Sequence, residues 1–151
     1  MRVKGMLALG LASLLGACAT TTSSGAPSTY DEATQARLGR MMMMQSEVSG
    51  AALERAVAAA AAYPLGSERN PVRAEGPPGQ RAYLGRLRCS NGRAPTFSRI
   101  GNIGDGPFGN IVDAYEVLCQ GAEPARSVVN LDMYHAGYRE TRAVPGFTMG
   151  G

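Results

Sequence analysis

Tryptophan is absent from this chain, and lysine and histidine occur once each, at Lys4 and His135. One imidazole is too few for the usual zinc sets, and the cysteines, Cys18, Cys89 and Cys119, show no C-x-x-C pairing. There is no G-x-S-x-G element and no second histidine, so nothing signals a nucleophile with its base. Basic runs are lacking too. Beyond Lys4 every cation is an arginine, and the arginines are scattered in a way that suits coding bias better than recognition. Without Arg2 and Lys4 the formal charge of +3 falls to about +1, which argues against nucleic acid as a partner. No apolar run is long enough for a membrane span. The best candidate, Gly5 to Ala17, falls short of the roughly 20 residues that a bilayer core requires.

What that run does offer is an address. A short basic region (Met1 to Lys4) precedes it, the layout of a cleavable export signal. Leu15-Gly16-Ala17, just before Cys18, resembles the lipobox of bacterial lipoproteins. The resemblance implies that residues 1–17 are removed and that Cys18 becomes the first mature residue and carries acyl chains. It also implies that Ala19 after the cysteine directs the protein to the outer membrane of a Gram-negative cell, facing the periplasm. Each buried methylene contributes about 0.8 kcal/mol, so two or more chains anchor stably where one does not. The alternative is ordinary cleavage around Ala17-Cys18-Ala19, leaving a soluble periplasmic protein. Residues 18–29, with "ATTTSSGAPST", read as a flexible tether.

With Cys18 used for lipid, Cys89 and Cys119 remain as an even pair in an oxidising compartment, and a disulfide follows. Closing that loop contributes roughly 3–4 kcal/mol in the chain-entropy model. A catalytic thiol and a metal site are the weaker rivals.

Residues 30–63 read as helical. Thr29 with Glu32 suggests a capping box, and Leu38, Met41, Met42, Gln45 and Val48 keep helical spacing. A break at Ser49-Gly50 favours two helices over one, the second stopping near Pro64. The four methionines from Met41 to Met44 read as core filling rather than as a copper site. Residues 64–80 are punctuated by proline and glycine and read as loop. Residues 81–147 read as an antiparallel β domain, with strands in "RAYLGRLRC", "TFSRI", "NIVDAYEVLC" and "SVVNLDMYH" and an end to ordered structure at Phe147. The expected fold is α+β, with one or two N-terminal helices packed on a small antiparallel sheet of about four strands. A meander would leave a strand between Cys89 and Cys119, so the bridge requires adjacent strands or a cysteine on a bent end. From Gly66 onward the stretches "GSERNPVR", "RAYLGRLRCSNG", "GNIVDAYEVLC" and "LDMYHAGY" resemble uncharacterised bacterial envelope proteins whose C-terminal domain has no assigned function. That resemblance brings no catalytic residues with it.

Two candidate sites follow. "GDGPFG" (Gly104 to Gly109) matches the dinucleotide pattern, but Pro107 interrupts it and a strand follows where a helix is needed. It reads as a hairpin loop able to cover a site. Pairing the last two strands with Cys119 opposite Arg126 sets Asp113 beside Asp132 and Tyr115 beside Asn130, with Tyr134 on the same face. Like charges directly opposite require compensation, by an arginine (Arg86, Arg88 or Arg99), a cation or a shared proton. His135 points to the other face unless the strand ends at Tyr134. The candidate binding residues are therefore Asp113, Tyr115, Asp132, Tyr134 and His135. No catalytic residue, metal ligand or cofactor is assigned. The expected function is a lipid-anchored envelope protein with a non-catalytic binding or structural domain. Its partners are the membrane through Cys18 and an envelope protein or small-molecule ligand. The alternative is a small envelope enzyme or metal-dependent hydrolase using Asp113, Asp132 and His135.

Overall fold

The structure, a computed structural model, describes residues 30–151. The expected signal peptide 1–17, the expected acylation at Cys18 and the expected tether 18–29 all lie outside the described residues.

Helix α1 (Glu32–Met42) starts on Asp31, whose carboxylate accepts the Thr34 N–H at 2.7 Å. Asp31 is therefore its cap, in place of a Thr29–Glu32 capping box. It ends in a Schellman turn, and helix α2 (Gly50–Ala60) follows after a linker at residues 43–49. Two helices are thus present, as the break signal predicted, but neither supplies the core. No residue of α1 is buried, and in α2 only Ala60 is. Leu38 is 41% exposed and Met42 is 85% exposed, so the methionine run is not core filling.

The core helix is α3 (Gly76–Arg86), in residues read as the end of a loop and the start of a strand. Pro77 and Pro78 occupy its first turn, where the fixed φ of proline suits a helix and the missing N–H costs nothing. Gln80, Tyr83, Leu84 and Leu87 are all buried, at the i, i+3, i+4, i+7 spacing of one helical face. With a glutamine at the first of these positions, the alternation of Tyr83, Gly85, Leu87 and Cys89 passes for a strand. Only Leu87–Arg88 is extended; this is β2, paired with β7 (Thr148–Met149). Ordered structure therefore continues past Phe147.

The main sheet has five strands rather than four. They are β1 (Val72–Glu75), β3 (Thr96–Asp105), β4 (Ile111–Leu118), β5 (Arg126–Asp132) and β6 (Tyr134–Arg139), in the order β3-β4-β5-β1-β6. The expected α+β class holds, and the sheet is antiparallel except for the β1–β5 pair. β1 lies within the stretch 64–80 read as loop; at four residues it carries no recognisable alternation.

"SVVNLDMYH" is two strands. Asp132 Oδ1 accepts the Tyr134 N–H at 3.0 Å, an Asx turn that breaks the chain at Met133 and lets β1 insert between β5 and β6. The β4–β5 register is Leu118 with Arg126, Asp113 with Leu131 and Val112 with Asp132. That is one residue away from Cys119 opposite Arg126, and a one-residue slip exchanges the faces. Residues 112–115 and 129–132 are buried on both faces, so no alternation marks the correct parity.

Tyr83, Leu84 and Leu87 pack on Val72, Tyr115, Val117, Val129 and Leu131 to form the core. The Cys89–Cys119 disulfide borders it, with Cα atoms 5.9 Å apart. Cys89 follows β2, outside the five-strand sheet, so the bridge needs no adjacency between sheet strands.

Candidate functional site

Asp113 and Asp132 are both buried, on opposite faces of the sheet. On the α3 side, Arg99 Nη2 lies 2.6 Å from Asp113 Oδ1. Gln80 Nε2 donates to Asp113 Oδ2 at 3.2 Å and to the Leu131 carbonyl at 3.4 Å, and the Tyr115 hydroxyl donates to Gln80 Oε1 at 3.0 Å. Of the three arginines expected to compensate a carboxylate here, Arg99 does so. The hydrogen bond to Asp113, reinforced by its charge, holds the Arg99 guanidinium above its ordinary value. Burial, followed by the Asp113 charge, pushes the Tyr115 phenol up.

On the other face Asp132 Oδ2 accepts from Asn110 Nδ2 at 2.9 Å. His135 Nε2 lies 3.2 Å from the same oxygen, within ion-pair range but without hydrogen-bond geometry. The break at Met133 is what brings His135 to this side. Phe108 and the imidazole pack in a T-shaped arrangement, ring centroids 5.4 Å apart. The glycine cluster is indeed the β3–β4 hairpin. It buries Phe108 beneath itself, and Gly109, at φ +77, lies against Glu47, where a Cβ would come within 3.1 Å of the Glu47 Cβ.

Asn110 ties this face to the helical linker. It accepts the Glu47 N–H at 2.8 Å and donates to Ser46 Oγ at 3.1 Å, while Arg40 grips the Glu47 carboxylate at 2.6 and 2.9 Å. The candidate residues thus fall into two networks, Asp113 with Tyr115 and Asp132 with His135. Tyr134 is influenced by both: burial raises its phenol first, and the charges of Asp113 and Asp132 follow. Asp113, Asp132 and His135 do not converge. Among the described residues no group of three His, Cys, Asp or Glu side chains is arranged to hold a metal ion.

The open surface lies elsewhere. A groove of about 840 Å³ runs beside the edge strand β6, between the end of α1 and the start of α3. Arg73, Arg86 and Arg139 line it, and none of the three forms an ion pair with a described carboxylate. The Arg73 guanidinium stacks on Tyr138, 3.8 Å from the ring centroid. Glu140, at one end, is satisfied: Arg142 clasps it with two bonds of 3.0 Å, and the backbone N–H groups of Thr141 and Arg142 add to them. Burial by itself would raise that carboxyl, but these donors outweigh it and hold it down to about 2. A second groove of about 690 Å³ shares Arg73, Ala136 and Tyr138 and has Tyr134 and His135 in its wall.

Sequence reasoning reached the two aspartates and missed the groove, whose walls come from three separated segments with no motif of their own. Comparison with known protein families, curated proteins and solved structures finds no match.

Proposed function

We propose that this chain is an exported envelope protein, acylated at Cys18 and held at the periplasmic face of the outer membrane. Its domain binds a small molecule in the groove beside β6 and performs no chemistry of its own. One observation carries the binding reading. Both buried aspartates are satisfied by neighbouring side chains, whereas the three guanidiniums of the groove stand without acidic partners. Concave, mostly apolar surfaces with a few convergent polar groups are the usual form of small-molecule sites. The address rests on the resemblance at Leu15-Gly16-Ala17-Cys18.

The test uses the full chain, produced with its own signal and isolated from the envelope. Wild-type protein is expected in the membrane fraction with acyl chains on Cys18, and native mass spectrometry is expected to show a bound small molecule. Cys18→Ser should leave an unacylated precursor or release the protein from the membrane fraction. Ala82→Trp, which fills the groove from α3, should lose the bound molecule and keep the anchor. Unchanged membrane partitioning of Cys18→Ser overturns the anchor, and a wild-type protein that carries no small molecule overturns the binding reading.

A further inference from the structure

Met44 lies at φ +53, in the left-handed region that favours glycine. It holds the position after the α1 cap in the Schellman turn, where Gln45 N–H reaches the Arg40 carbonyl at 2.9 Å and Met44 N–H reaches the Met41 carbonyl at 3.1 Å. A side chain there costs roughly 1–2 kcal/mol relative to glycine. The chain carries a thioether at this position all the same, and with Met43 it lines the groove. Met43 is 71% exposed, so the pair does not serve the core. Strained non-glycine positions of this kind gather at ligand clamps. Pro77, Pro78 and Ala82 also line the groove, which joins two adaptable sulfur side chains to two rigid rings. That surface suits an alkyl or aryl body.

The charges specify the rest. Arg73, Arg86 and Arg139 line the groove, with Glu75 and Glu140 as its carboxylates, and Glu140 is already taken by Arg142. Burial first and the neighbouring Arg139 second hold the Arg86 guanidinium below its ordinary value, against the weaker opposing charge of Glu140. Arg86 Nη2 donates to the Glu140 carbonyl at 2.8 Å, so Arg86 and Arg139 share the groove without forming an ion pair there. Adjacent guanidiniums match an anion with several charged oxygens better than a single carboxylate does. The volume, about 840 Å³, falls in the range of sites for one drug-sized molecule.

Resting on the binding reading above, we propose that the groove takes a small amphiphilic phosphate monoester, free in solution rather than part of a diacyl lipid. Its apolar body lies against Met43, Met44, Pro77 and Pro78, and its phosphate lies between Arg86 and Arg139 with Arg73 alongside.

The experiment titrates the purified full chain, in phosphatidylcholine nanodiscs, calorimetrically with octyl phosphate, octanol and inorganic phosphate, each corrected against empty nanodiscs. Octyl phosphate should saturate and bind at least about tenfold more tightly than either fragment. Arg86→Gln with Arg139→Gln should bring it down to the affinity of octanol and leave octanol unchanged. Met44→Gly should weaken both alkyl probes while raising the thermal midpoint, which separates lost binding from lost folding. Replacing phosphatidylcholine with phosphatidylglycerol should leave octyl phosphate binding unchanged; competition would assign the groove to a lipid headgroup and overturn the proposal. Octanol binding as tightly as octyl phosphate, or an unaffected double variant, overturns the phosphate assignment and leaves the binding reading standing. Inorganic phosphate binding as tightly as octyl phosphate overturns the apolar half. If no alkyl probe binds while a native molecule is still retained, this inference falls alone; if neither binds, both fall.

Discussion

Asp132 has no solvent exposure, and every close neighbour of its carboxylate offers a proton or a ring nitrogen. An asparagine there must turn its NH₂ toward the Tyr134 N–H or toward Asn110 Nδ2, both donors. Flipping Asn110 gives no escape, because its oxygen accepts from Glu47. Asp132→Asn should therefore cost about 2–3 kcal/mol. Asp113→Asn should cost under about 1 kcal/mol, since Arg99 is 49% exposed and can swing to water while Gln80 keeps its bond to Leu131. Urea denaturation of the two variants decides the order, and an Asp113 variant as unstable as the Asp132 one would contradict it. Glu140 sets a pH dependence. Its carboxyl is held down to about 2 in the folded protein, below its ordinary value. Its contribution is therefore complete above the unfolded carboxyl range and is lost as pH falls from about 4.5 toward 2. Allowing for screening at the exposed Arg142, the loss amounts to about 2 kcal/mol. Glu140→Gln should flatten that slope in acid-unfolding curves.

At the scale of elements, α3 with β2 is the unit that completes the core, and the Cys89–Cys119 bridge fastens its end to the end of β4. The bond closes a separation of 30 residues. Reducing it, or replacing both cysteines with serine, should lower stability by about 3–4 kcal/mol in the chain-entropy model, seen as a lower urea midpoint. An unmoved midpoint would mean that the packing of Tyr83, Leu84 and Leu87 holds this junction by itself. α1 and α2 should respond little, because the ties to the sheet are polar: Arg37 of α1 to Asp105, and Asn110 to the linker, whose Glu47 is held in turn by Arg40. The helix that matters most was the hardest to read. Leu84 and Leu87 are ordinary core residues, but Gln80 shares their face because it bonds to Asp113, a partner known only once the sheet is assembled.

For the whole molecule, the sequence by itself determined what depends on residue type and local spacing. The α+β class, the two N-terminal helices and the β3–β4 hairpin at the glycine cluster have short-range causes in caps, breakers and turn residues, and the pairing of Cys89 with Cys119 was read from cysteine usage. An arginine near Asp113 was expected too, but from a repulsion with Asp132 that the true register removes; Arg99 pairs with Asp113 alone. The tertiary structure alone decided which strand lies between β5 and β6, which residue faces Asp113, and where the open surface is. Strands buried on both faces carry no alternation to fix their register, and a one-residue slip sends Asp132 to the far side of the sheet. The groove joins residues from the turn after α1, from β1 with α3, and from β6, segments that are distant in the chain. A binding surface assembled from separated segments has no local pattern, because its chemistry arises only when packing brings those segments together.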